Sequence, residues 1–364
     1  MLRVLIRTSL ALVVAVAAAL IGWRVLAPAE VSSTVAGPSP VAVTRSPGVT
    51  GRTNQAPLIV GDAVRVYASK RQTRADTPVD AKSVMTAIWS LRRWPQQLSG
   101  VVAVGDTVVS RWADGELIAL SARTGKTVWR VSTGIGAPAF DGHRTGASTV
   151  WAPGDLHTGD GAVLVGGASR VNAYDAATGA LRWSEPISCG DAFTTAGGQF
   201  VCTEQAFSLA TGKAVTGWPA GPHTPLGCDV AASACGGLRD AAGQGWLVTG
   251  ARPERSAVLD QQGSTVAAGR AIAPRPGAQV LGASQGRLVL LTDDRHLRIA
   301  DAVTGAVSAD FALAVDTEKL TWKPGLWQVT DHWVAIERLA ADGPASPDKP
   351  GHYFTVDTVI IAAI

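Results

Sequence analysis

Asp155, His157 and Asp160 share the phrase PGDLHTGDG. Two carboxylates and an imidazole in a glycine-rich segment could hold a cation or a polar ligand. The competing reading is a solvated loop between strands. Arg92, Arg93 and Trp94 set two guanidinium groups beside an indole, a chemistry suited to a protein-binding face. Nothing here assembles a catalytic set. His143, His157, His223, His296, His332 and His352 are scattered, with no H-E-x-x-H spacing. No G-x-S-x-G phrase marks a nucleophile elbow.

Four cysteines, Cys189, Cys202, Cys228 and Cys235, permit three pairings. Locality favours Cys189–Cys202 and Cys228–Cys235, and an oxidising compartment would support both. Free buried thiols are the alternative. The spacings are not those of zinc knuckles, so no metal site is expected.

The elements that must carry these residues come from a repeated phrase. ALSARTGKTVWR, AYDAATGALRWS and SLATGKAVTGWP share a turn, a glycine and a tryptophan. Each reads as strand, turn, strand. Asp175 can accept from turn N–H groups, Gly179 can take positive φ, and Trp183 can seal a layer. The same element is marked by Trp89, by Gly125 with Trp129, by Gly212 with a shifted Trp218, and by Gly305 without Trp. A weak copy falls at 259–263, and the last, expected within 341–351, has lost the motif. Trp112, Trp151 and Trp246, with Trp94, lie outside the repeat position and join Arg92 and Arg93 as candidates for an interaction surface.

The turns recur at intervals of a few tens of residues, the period of repeat architectures. Residues 55–364 divided by seven give about 44 per unit, enough for four short strands. The sequence therefore predicts an all-β, seven-bladed β-propeller of four-stranded blades over 58–364, six or eight blades also fitting the spacing. Tyr353 to Ile364 is expected to close the ring with strands from 58–68.

These phrases resemble the repeat of the pyrroloquinoline-quinone (PQQ) dehydrogenase superfamily. In size the chain is closer to its small, exported, non-enzymatic members, which include the lipoprotein that assists outer-membrane β-barrel assembly. The enzymes of that superfamily carry a Ca²⁺ held by carboxylate and amide groups, a catalytic Asp and commonly a disulfide between adjacent cysteines. No adjacent Cys pair occurs here, and no residue matches the catalytic Asp. The resemblance thus implies no cofactor and no enzyme, with PQQ and Ca²⁺ as the alternative.

The N-terminal segment TSLALVVAVAAALIGW follows Arg3 and Arg7 and ends at Arg24. Basic residues before an apolar run predict an N-in transmembrane or signal helix over 1–27. It is either retained as an anchor or cleaved after Ala29. Residues 28–57, rich in Pro, Ser, Thr and Gly, read as a flexible linker. Without the three arginines of 1–29, 29 basic residues face 29 acidic ones. This neutrality excludes the electrostatic footprint of a nucleic-acid binder. The sequence-based expectation is a membrane-tethered, extracytoplasmic scaffold with an envelope or membrane protein as partner, secreted if cleaved. Ligand or ion sensing is the alternative.

Overall fold

The computed structural model describes residues 12–20, 22–24, 27–81, 86–228, 230–315, 317–319 and 321–364. Antiparallel sheets succeed one another around a ring, each with its first strand innermost. Blade 1 comprises Leu58–Val60, Val64–Ser69, Gln72–Thr77 and Thr86–Trp94. Blade 2 comprises Leu98–Val104, Thr107–Trp112, Glu116–Ser121 and Thr127–Ser132. Blade 3 is built from Leu156–Gly159, Ala162–Gly166, Val171–Asp175 and Leu181–Glu185. Blade 4 has only Ala192–Thr194, Gln199–Cys202 and Gln205–Ser208. Blade 5 holds Thr224–Leu226, Gly237–Arg239, Gly245–Leu247 and Glu254–Arg255. A two-stranded hairpin, Thr265–Ala267 with Arg270–Ile272, lies between it and blade 6, which runs through Ala278–Ser284, Arg287–Thr292, His296–Asp301 and Val307–Ala312.

Blade 7 takes three strands from the C-terminal end, Trp322–Val329, Trp333–Ala340 and Val359–Ala363. Its fourth, Gly48–Thr53, comes from the N-terminal side. The ring is therefore closed by 48–53 on 359–363, and 58–68 instead opens blade 1. This also explains the missing turn phrase within 341–351. The third and fourth strands of blade 7 are far apart in the chain, so no turn joins them.

Residues 28–57 are not a bare linker. Besides Gly48–Thr53, they contain Ala29–Thr34, a fifth strand on the outer edge of blade 1 that pairs with Thr86–Trp94. The expected membrane-spanning or signal helix also requires correction. Among the described residues no helix is long and apolar enough to cross a membrane. At the N-terminal end the described helical residues are 12–20 and 22–24. Arg3 and Arg7 lie outside the described residues. The single-pass topology, the membrane contact through that helix and the localisation drawn from it fall with this correction. The finding concerns helices alone and is silent on spans made of strands.

The repeated phrase builds the seams. The indole Nε1 of Trp89 donates to Ala122 O at 2.7 Å, that of Trp129 to Ala176 O at 2.9 Å, and that of Trp183 to Leu209 O at 2.7 Å. Each bond joins one blade to the turn of the next. Gly125, Gly179 and Gly212 lie beneath these rings with φ of +67°, +73° and +71°. A side chain there would meet both a disfavoured backbone conformation and the indole. Trp218 docks on no such turn and packs edge-on to His223. At Gly305 the guanidinium of Arg275 takes the place of an indole. The weak copy at 259–263 follows the outer strand of blade 5 rather than turning into it, and residues 82–85 of the copy before Trp89 are outside the described residues.

Candidate functional site

The phrase around His157 is not a loop. Leu156–Gly159 is the innermost strand of blade 3, and strand alternation sends successive side chains to opposite faces. His157 is buried, its Nδ1 3.2 Å from Ala231 O. Burial pushes its pKa below the usual imidazole range, only partly offset by the Ala231 bond. Asp155 and Asp160 flank the strand with φ of 55° and 47°. Their carbonyl oxygens accept from Arg111 Nη1 at 2.9 Å and Arg182 Nη1 at 2.8 Å. The Asp155 carboxylate lies within electrostatic reach of His157, but no group of three or more His, Cys, Asp or Glu among the described residues could hold a metal ion.

Alternation also divides Arg92 from Arg93. Arg92 is exposed, whereas Arg93 lies among carboxylates, 3.3 Å from Glu30, 2.9 Å from Asp114 and 2.5 Å from Glu116. Its guanidinium also sits over the Trp112 ring. Trp94 is covered by Arg71 at 4.0 Å. Trp112 and Trp151 are buried, their Nε1 atoms donating to Ser110 Oγ and Pro57 O. Trp246 is half-buried and donates to Asp240 Oδ2. These indoles hold the fold together and leave Arg92 as the freely presented member of the set.

Two features at the ring centre escape a repeat-based reading. The short helix Ala147–Trp151, inserted between blades 2 and 3, touches the inner part of blades 1, 2 and 7. It is tied down through Thr145 Oγ1 to Glu337 Oε1 at 2.5 Å and Ala56 N to Thr145 O at 2.8 Å. The second is the Cys228–Cys235 loop of blade 5, whose residues Val230–Ala232 contact inner strands of blades 3, 4 and 7. Small residues between two close cysteines were the one sequence signal of it. Arg111, 1% exposed, spans the neighbouring seam through Asp155 O, Gly136 O and Gly166 O. Its burial lowers its pKa against the pull of Asp155. The channel walls are mostly Val, Ala, Gly and Leu, with cavities of about 320–340 Å³ left around Val230.

A different surface lies on the outer edge of blade 4. Its return segment pairs with the edge strand only near Phe207 and Ala214, where Val215 N donates to Ala206 O at 2.8 Å. Gly217, at φ +72°, then leads the chain away. The result is a groove of about 470 Å³ lined by Glu185, Ile187, Cys202, Glu204, Gln205 and Phe207. The Cys189–Cys202 disulfide braces its floor. Neither Glu185 nor Glu204 has an ion-pair partner among the described residues.

Ring, seams and turn chemistry define a PQQ-like seven-bladed β-propeller that resembles the BamB family of outer-membrane assembly proteins. The family model described as outer membrane protein assembly factor BamB matches residues 39–131 and 87–201. Among curated proteins, the quinohemoprotein alcohol dehydrogenase ADH IIB of Pseudomonas putida is 43% identical over 84 residues, 23% of this chain and 12% of the enzyme. The dehydrogenase subunit of the quinone alcohol dehydrogenase of Gluconobacter oxydans is 43% identical over 74 residues, 19% of this chain and 10% of that protein. The chain thus matches only about a tenth of the length of these relatives. Among solved structures, BamB from Moraxella catarrhalis aligns with a TM-score of 0.42 at 14% identity, over 89% of this chain and 99% of that one. The WD40 propeller domain of Doa1 aligns at 0.40 and 11%, over 90% and 96%. The two dehydrogenase matches correct the expectation that the chain is not an enzyme: the segments it shares at 43% identity are segments of enzymes.

Proposed function

We propose that the propeller is a protein-interaction scaffold whose docking edge is the outer side of blade 4. The observation that carries this reading is the shortened fourth strand, which leaves a groove beside backbone that other blades cover. Unpaired strand edges accept extended segments by main-chain hydrogen bonding. The carboxylates of Glu185 and Glu204 at the groove select a segment bearing Lys or Arg. The occupant is thus a basic, extended segment of a partner protein.

The test is a photo-crosslinking residue at Gln205, compared with one at Val307 on the outer strand of blade 6. The expected result is a discrete adduct from position 205 alone, lost when Glu185 and Glu204 are both changed to Lys. The same adducts from both positions, or none from 205, would overturn the reading.

The dehydrogenase matches favour a second reading, oxidation of an alcohol with PQQ. Among the described residues, no group of three or more His, Cys, Asp or Glu could hold a metal ion. Adding PQQ and Ca²⁺ to the purified chain separates the two readings. Stoichiometric quinone absorbance together with dye reduction supports the enzyme, and the absence of both supports the scaffold.

A further inference from the structure

In a propeller the first and second strands of a blade usually meet in a tight turn, as they do at Gly105 and Asp106 in blade 2. In blade 5 this connection is the segment closed by Cys228–Cys235, and it enters the axis of the ring. Val230–Ala232 touches inner strands of three blades and the helix Ala147–Trp151, an arrangement open only to a segment at the centre. Val230 forms part of the wall of all three central cavities.

The segment is seated by specific bonds. Thr158 N donates to Ser233 Oγ at 3.2 Å, Ala234 N to Thr194 Oγ1 at 3.0 Å and Cys235 N to Thr194 O at 2.8 Å. Ala196 N donates to Cys235 O at 3.0 Å. Ala231, Ala232 and Ala234 nevertheless have φ of 60°, 48° and 52°. Residues with a Cβ avoid this left-handed region unless their surroundings impose it. The covalent ring of the disulfide is the one constraint here that a reductant can remove. Cys235 is fully buried, while Cys228 is half-exposed and lines two of the cavities.

We propose that the Cys228–Cys235 loop is a thiol-sensitive plug of the central channel. Its reductant is a dithiol, either a small molecule or the paired cysteines of an oxidoreductase. A thiolate of the reductant attacks Cys228 Sγ, the S–S bond breaks, and Cys235 leaves as a thiolate that takes up a proton. The second thiol of the reductant then attacks the mixed disulfide and releases Cys228. The reductant departs as its own disulfide, having supplied two electrons, and the protein holds two thiols. The freed alanines relax to negative φ, the loop leaves the axis, and the three cavities join.

The test is hydrogen–deuterium exchange on the full chain, with and without dithiothreitol, and on a Cys228→Ser/Cys235→Ser variant. A Cys189→Ser/Cys202→Ser variant assigns the dithiothreitol effect to one bond. The expected result is at least tenfold faster exchange at the amides of Thr158, Ala196, Ala234 and Cys235, with Val334–Ile336 of blade 7 still protected. Unchanged exchange at these amides would overturn the proposal. Loss of protection in blade 7 to the same extent would also overturn it, because the bond would then be purely a fold staple. Should the Cys228→Ser/Cys235→Ser variant not fold, brief reduction of the folded wild-type chain followed by alkylation decides. Modification of Cys228 and Cys235 while blade 7 stays protected supports the plug, and resistance until global unfolding rejects it.

Discussion

The indole of Trp129 in blade 2 lies over Gly179 in blade 3. Its Nε1 donates to Ala176 O at 2.9 Å, and a Cβ on Gly179 would fall 2.8 Å from its ring. Trp89 with Gly125 and Trp183 with Gly212 repeat this relationship. One contact thus explains why glycine and tryptophan recur together, although they act across different seams.

This contact sets the first prediction. Gly179→Ala combines a left-handed alanine with overpacking and should cost about 2–4 kcal/mol. Gly105→Ala, at φ +55° with open space around its Cβ, should cost only the backbone part, about 1–2 kcal/mol. Urea unfolding of both variants measures the difference. Equal losses would show that the indole does not constrain Gly179.

Removing an indole N–H tests the hydrogen bond separately. Trp183→Phe keeps most of the apolar area but leaves the carbonyl of Leu209 without its donor. The expected loss is about 1–3 kcal/mol. A variant as stable as the wild type would reduce the seam to packing alone.

The turn of blade 3 predicts acid sensitivity. The Asp175 carboxylate is held by Arg182 and Thr178, which lower its pKa to about 2. A depressed folded-state pKa gives stability that is present above the unfolded value and lost as pH falls through the folded one. The loss should therefore lie between about pH 4 and pH 2. Asp175→Asn should show a shallower fall in urea midpoint over that window, and the difference should shrink in salt because the group is exposed. Parallel acid limbs would remove Asp175 from the account.

The brace of blade 4 predicts a local effect. Cys189 and Cys202 are separated by 13 positions, a loop for which closure entropy gives about 2–3 kcal/mol. Replacing both with Ser should lower global stability by that amount and weaken crosslinking at Gln205. Intact crosslinking in the destabilised variant would separate the groove from its brace.

Ring closure predicts an asymmetry between truncations. A chain starting at residue 36 loses the outer strand Ala29–Thr34 and should keep one sharp unfolding transition. A chain starting at residue 54 leaves Val359–Ala363 as an uncovered edge. Such an edge should broaden the transition and promote association. Light scattering during thermal unfolding distinguishes them, and identical behaviour would mean that Gly48–Thr53 is dispensable.

The sequence by itself determined the unit: strand, turn, strand, with Asp and Gly in the turn and Trp after it. Asp175 and Gly179 act on backbone within a few residues of themselves, so turn chemistry is legible without knowing the fold. Counting such units predicted the ring. Tertiary structure alone decided what closes and fills it. Thr50 bonds to Ile361 across 311 positions, and no local preference encodes such a partner. The burial of Trp112 and the outward turn of Arg92 away from Arg93 follow from strand alternation. Trp151, by contrast, is buried because its helix packs on the inner part of three blades, and of Asp155, His157 and Asp160 only His157 lies within the strand Leu156–Gly159. The plug was equally hidden, since Cys228 to Cys235 reads as a surface loop until the inner strands of other blades surround it.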